Sequence, residues 1–293
     1  MQSVVLAWEK RFRQYHPEVQ FENRLIGTDT AMPGLYTGNA DIALLGRETN
    51  TTEDDGFLHT LQYRPLKLRL MTGSLDVPGE SYAPVLFVHN EFPLDKLTLA
   101  QLDFLIGCGQ SHVVPPQTWG DLGLTGVWKD KPIHVYTYDA ETGTGLFLLT
   151  VLQAGSRKMN WQIIREFHNG SHIDGTSYNA GEQIMDALMK DPYGLAISSL
   201  HYTNPQVKVL KLARTQDSEY VTPTRETLIN GSYPLTRMTY AFLNRRPNTS
   251  IAPLTAELLR FIYSDEGRKL VEEQNGFLPL TAKDAADQLN LLR

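Results

Sequence analysis

One succession of elements, strand to polar turn to helix to strand, is legible twice along this chain: once within its first 80 or so residues and again between about 133 and 200. In the first instance "ADIALLG", a run of small and branched apolar residues, reads as a buried strand. In the second, "IHVYTYD" reads as a strand, the polar Thr142–Gly145 turn follows, and an apolar helix leads on to the short buried strand "GLAISS". Such alternation predicts an α/β protein of two lobes, each a mostly parallel sheet flanked by helices. The later strand "PLTRMTYAFLN" and the helical "TAELLRFIYSDEGRKLVEEQ" follow the second lobe and are expected to complete the first. The expected lobes are therefore 1–80 with 234–293, and 81–233, joined by two interlobe crossovers with a cleft between them.

The sequence also narrows what such a chain can do. A formal net charge of −6 without a Lys/Arg run argues against nucleic acid as a partner. It does not argue against one small anion, because local backbone dipoles outweigh a distant charge. No apolar stretch approaches the roughly 20 residues that cross a bilayer. Cys108 is the sole cysteine, so no intrachain disulfide or thiolate cluster is possible. His168 and His172 have a metal-like spacing only in a helix, and Gly170-Ser171 between them point to a loop, so no metal is expected. No nucleophile with a base at readable spacing appears, hence no enzyme and no cofactor is expected.

Two turns carry the functional reading. Thr142-Gly143-Thr144-Gly145 stands where a strand ends and a helix begins. The first N–H groups of a helix lack intrahelical partners and sit in the positive end of its dipole. Glycines let an oxyanion approach, and each threonine adds a hydroxyl; the alternative is an N-cap with a flexible turn. No Gly-Lys-Ser/Thr follows, so this is not a Walker loop. Gly27, Thr28 and Thr30 open a second helix, and Arg47 follows a buried strand. Arg47 could grip an oxyanion bidentately, or pair with Glu48 or Glu53. Arg237, in "PLTR", is placed to reach the cleft or to brace the second crossover.

Several stretches in shared order resemble the phosphate-binding proteins of bacterial ABC transporters, in the type II periplasmic binding-protein superfamily. They are "IGTDTAMPGLYTGNADIALLGRE", "FVHNEFPLDKLTLAQLDFLIG", "TWGDLG", "IHVYTYDAETGTGLFLLTVL", "MDALMKDPYGLAISSL", "YPLTRMTYAFLN" and "LLRFIYSDEGRKLVEEQNGFLPL". The resemblance implies that Thr28 matches one anion-holding element and Thr142, Gly143 and Thr144 another. "MQSVVLAWEKRF" resembles the helix after the family's first anion loop, so that loop, the first strand and any signal peptide are expected to lie upstream of Met1. Tyr138 stands where the family usually has an Arg, and Gly46-Arg47 where it usually has an Asp. Asp139 and Glu141 could restore an acceptor. The resemblance implies a monomeric solute-binding protein, periplasmic or extracellular, which captures a small oxyanion, phosphate first, and hands it to an ABC transporter permease. The alternatives are a sensor or interaction module with a degenerate site, and a binder of sulfate, molybdate or a carboxylate.

Overall fold

The computed structural model describes residues 1–25, 29–77, 80–107, 114–152 and 159–292. They form two compact units, Met1–Ser81 with Arg237–Arg293, and Tyr82–Thr236. The chain thus passes from the first unit to the second at Ser81–Tyr82 and returns at Thr236–Arg237.

The first unit opens with α1 (Gln2–Tyr15), α2 (Ala31–Tyr36), β1 (Ile42–Leu45), α3 (Thr51–Leu61) and β2 (Leu66–Thr72). The second runs β3 (Val85–His89), β4 (Lys96–Thr98), α4 (Leu99–Ile106), β5 (His134–Tyr138), α5 (Gly143–Leu152), β6 (Ile164–Phe167), β7 (Gly170–Ser171), β8 (Ser177–Tyr178), α6 (Ala180–Met189), β9 (Gly194–Ser198), β10 (Val207–Val209), β11 (Lys211–Ala213) and α7 (Arg225–Ile229). Back in the first unit come β12 (Met238–Leu243), α8 (Pro253–Tyr263), α9 (Asp265–Glu273), β13 (Leu278–Pro279) and α10 (Ala282–Asn290).

The first unit's sheet has the order β1-β12-β2-β13. β12 is its centre, and its period-2 alternation serves two cores. Tyr240 and Phe242 pack with Met32, Leu35 and Phe57 of α2 and α3. Ala241 and Leu243 pack with Val4, Trp8, Leu259 and Val271 of α1, α8 and α9. The expected completion of this sheet by the late strand is therefore seen as an insertion between β1 and β2.

The expected strand direction needs correcting. β12 runs antiparallel to both β1 and β2, and β13 runs antiparallel to β2. The second unit's sheet, β10-β3-β9-β5-β6, is mixed: β9-β5-β6 pair in parallel, while β10-β3 and β3-β9 are antiparallel. A continuous apolar run reports burial on both faces, not the direction of a neighbour, and a strand returning from another unit can enter either way. "VQFENRLIG", whose polar and apolar residues alternate, forms no strand over its described residues. Its alternation is met by packing on α1, where Phe21 lies edge-on to Phe12 at 6.2 Å and Asn23 donates to Glu9 at 2.7 Å. "VKVLKLA" divides at Leu210 into β10 and β11, which join different sheets.

Thr98 caps α4, its hydroxyl accepting from Gln101 N–H at 3.1 Å. Among the described residues, no helix is long and apolar enough to cross a membrane.

Candidate functional site

Strand β5 places the Thr142–Gly145 turn. Its register with parallel β6 sets Thr137 beside Glu166 and Tyr138 beside Phe167, and Asp139 N–H extends the ladder to Phe167 O at 2.9 Å. The backbone then turns through a tight set of bonds. Ala140 N–H donates to Glu166 Oε1 at 2.7 Å, and Glu141 N–H to Asp139 Oδ1 at 2.8 Å. Thr142 N–H reaches Asp139 O at 3.0 Å. The Thr142 hydroxyl donates to the same carbonyl at 2.7 Å and accepts from Gly145 N–H at 3.1 Å. Its single proton is thereby used inside the turn, so the expectation of Thr142 as a hydroxyl donor to an anion gives way to capping. Thr142 O accepts from Leu146 N–H at 2.8 Å, which starts the helical ladder.

Gly145 answers the question of why glycine recurs here. A Cβ at Gly145 would lie 2.2 Å from Asp139 O and 2.7 Å from Ala140 Cα. The start of α5 therefore sits directly on the end of β5, and glycine alone permits that approach. Gly143 is exposed, and Thr144 is buried in the first helical turn. Beneath the turn, Thr137, Ala140, Gly145, Leu148, Ile106 and Met159 line a small, chiefly apolar cavity of about 20 Å³. The buried Thr137 hydroxyl has no hydrogen-bond partner among the described residues.

On the opposite face of β5, Tyr138 is buried in the cluster of Val85, Phe87, Ile184 and Leu188. Its hydroxyl lies 3.2 Å from Ser198 Oγ at the end of β9, and its ring 5.9 Å from that of Tyr82. Burial first, then Tyr82, pushes the phenol well above its ordinary range, so it stays a neutral hydroxyl. Three carboxylates stand around the turn: Asp139, Glu141 and Glu166. Burial raises the pKa of Glu166, the Ala140 N–H opposes this, and Asp139 and Glu141 raise it further.

In the first unit, Arg47 follows β1 and is 2% exposed. Its guanidinium grips Glu53 with two parallel bonds, Nη1 to Oε2 at 2.7 Å and Nη2 to Oε1 at 2.9 Å, and Nη1 also donates to Glu48 O at 2.9 Å. Glu53 is itself buried and caps α3 with Asn50 in a reciprocal box, Asn50 N–H to Glu53 Oε2 at 2.8 Å and Glu53 N–H to Asn50 Oδ1 at 2.9 Å. Asp29 lies 3.7 Å from Nη2 on the solvent side. The bidentate pairing open to an oxyanion is thus made to Glu53, and a buried charge of this kind requires such a partner. Arg237, 4% exposed, donates from Nη2 to Gly46 O at 2.8 Å, while its carbonyl accepts from Gly73 N–H at 2.8 Å. It braces the ends of β1, β2 and β12. Thr28, with Ile26 and Gly27, lies outside the described residues.

The family model described as the PBP superfamily domain matches residues 1–266. The chain belongs to the PBP superfamily. Among curated relatives, the phosphate-binding protein PstS of Pseudomonas aeruginosa is 28% identical over 288 residues, covering 97% of this chain and 81% of that protein. Among solved structures, PstS from Borrelia burgdorferi aligns with a TM-score of 0.62 at 15% identity, over 95% of this chain and 94% of that one. An ABC-type phosphate transport receptor from Vibrio cholerae aligns with a TM-score of 0.58 at 18% identity, over 94% of each chain. These structures share the superfamily's fold, and the expectation of a type II periplasmic-binding-protein-like α/β fold holds.

Glu166 is the neighbour of the turn that its own sequence context does not announce. "QIIREFHN" alternates too briefly to announce a strand, so nothing in it placed Glu166 beside the turn. Asn50 and Glu53, three apart, do carry a capping-box signal that marks α3. Gly170-Ser171, expected as a loop, form the short strand β7; His168 precedes it and His172 lies in the loop between β7 and β8, so neither histidine is helical, and no group of three metal-binding side chains occurs among the described residues.

Proposed function

We propose that this chain is a solute-binding protein that captures a small oxyanion, phosphate first, at the start of α5, and performs no chemistry on it. The observation that carries this reading is the Gly143–Thr144 helix start, seated by Gly145 on the end of a parallel strand. There the backbone N–H groups of Gly143 and Thr144 and the Thr144 hydroxyl supply the donors, with the helix dipole supplying partial positive charge. Thr142 acts as the cap that fixes their direction, and Tyr138 as a neutral neighbour that adds no net charge. Superfamily membership and the printed names of the relatives support the choice of phosphate. By the same analogy the loaded protein works outside the cytoplasmic membrane, periplasmic or extracellular, as a monomer that delivers its anion to an ABC transporter permease. Thr28 belongs to this proposal through the family resemblance alone; Arg47 and Arg237 serve as braces of the first unit.

Isothermal titration of the protein with phosphate, sulfate and molybdate tests the reading. One-to-one heat with phosphate, weaker with the other two, is the expected result; silence with all three defeats it.

A second reading, a sensor or interaction module on the same fold, is favoured by two observations. The guanidinium of Arg47 is committed to Glu53, and three carboxylates surround the turn. Retained phosphate binding without stimulation of transport by a reconstituted permease would select it.

A further inference from the structure

The chain passes between its two compact units twice, and each crossing is fastened on both sides by bonds that lie wholly inside one unit. On the first unit's side the fastening point is the end of β2. Gly73 N–H donates to Arg237 O at 2.8 Å, and Ser74 N–H to Ser81 O at 3.0 Å. Two adjacent residues thus hold both the outgoing and the returning chain. The fit is close, since a Cβ on Gly73 would overlap Ser81 O and lie 3.1 Å from Arg237 Cβ. Arg237 Nη2 adds a bond to Gly46 O at 2.8 Å, just past β1, and a Cβ on Gly46 would overlap Ser81 Oγ. On the second unit's side, Tyr233 is fully buried and its hydroxyl donates to Pro84 O, just before β3, at 2.9 Å. Thr236 N–H and the Thr236 hydroxyl both donate to Tyr233 O, at 3.1 and 2.7 Å, which closes the returning chain into a turn.

We propose that Tyr233 and Arg237 are opposed pins, one in each unit, that hold the two crossings side by side and confine rotation between the units to the few residues between the pins. Those residues are Tyr82 and Ala83 on the outgoing chain and the Thr236–Arg237 step on the returning one. Two units joined by short crossings rotate through φ and ψ changes at a few residues. Crossings held together at both ends share one axis, whereas independent crossings also let the units splay and twist. The Tyr233 pin is stiff because it is buried: when its bond breaks, no water replaces the hydroxyl at the Pro84 carbonyl. On the other side, Gly73 lies between Ser81 and Arg237, so neither chain shifts without moving the end of β2. This role is independent of what the protein binds.

Spin labels at Lys10→Cys on α1 and Asp186→Cys on α6, both exposed positions, in a Cys108→Ser background report the spread of distances between the units by double electron–electron resonance. Tyr233→Phe keeps the ring and drops the hydroxyl, and it is expected to broaden the distribution. Arg237→Met, which removes the bond to Gly46 O, is expected to broaden it from the other side. Tyr263→Phe is the control, since its hydroxyl also donates to a backbone carbonyl, Arg69 O at 2.8 Å, but in the middle of β2. It is expected to leave the wild-type distribution unchanged. Y233F and R237M distributions no broader than that of Y263F overturn the proposal. A measurement on the wild type guards against variants that fail to fold. Gly73, Ser74 and Thr236 amides are expected to exchange hydrogen as slowly as the core amides of β12. Exchange at all three by local opening, well ahead of that core, also overturns it.

Discussion

Two places in this molecule looked alike as sequence and differ as structure. Thr142–Gly145 and Arg47 each follow a buried strand and each offered an oxyanion a set of donors. At Arg47 the donors are turned inward. A buried guanidinium demands a counter-charge, and Glu53, already committed to capping α3, supplies both of its oxygens. At the α5 start, the internal bonds use Ala140, Glu141, Thr142, Gly145 and Leu146 N–H groups and the Thr142 proton, and they shape the backbone around Gly143 and Thr144. A side-chain cation can be satisfied by the protein itself, whereas a helix start keeps a directed field even when its cap is complete.

The largest expected effect breaks the Arg47 side of that contrast. Glu53→Ala strands a buried charge and uncaps α3, and is expected to cost about 3–5 kcal/mol in urea unfolding. A cost near that of a surface mutation would mean the fork carries little. Next, Gly145→Ala forces a Cβ against Asp139 O and is expected to destabilise by about 1–3 kcal/mol and to abolish phosphate binding, since the turn must move. Thr142→Ala removes a cap and is expected to cost about 1 kcal/mol. Phosphate affinity should fall with it only as far as the turn loosens; an affinity loss of a hundredfold or more would make its hydroxyl a direct ligand after all. The smallest effect is at Thr137, whose buried hydroxyl has no described partner. Thr137→Val keeps the shape and is expected to stabilise by up to about 1 kcal/mol, with anion affinity unchanged.

Much of this fold was legible because amphipathic period and caps are local. Thr98 before "LAQLDFLI" and the short apolar run of "MTYAFL" each announce an element within a few residues. Strand direction was not legible, because "IALL" is equally apolar beside a parallel or an antiparallel neighbour. The site was half legible. The glycines and threonines before α5 could be read as a turn, but whether the Thr142 proton points to a ligand or to Asp139 O is decided by backbone geometry. Glu53 and Glu166 reach their partners from α3 and β6, elements whose sequence signals went unread or were too short to stand alone.

Oxyanion capture at the α5 start is tested most directly by nitrogen–proton NMR of the amides of Gly143 and Thr144 during a phosphate titration. Both resonances are expected to move downfield together and saturate with one equivalent, as N–H groups do when they take up a charged acceptor. Stationary signals from both amides, while phosphate binds elsewhere or not at all, would contradict it.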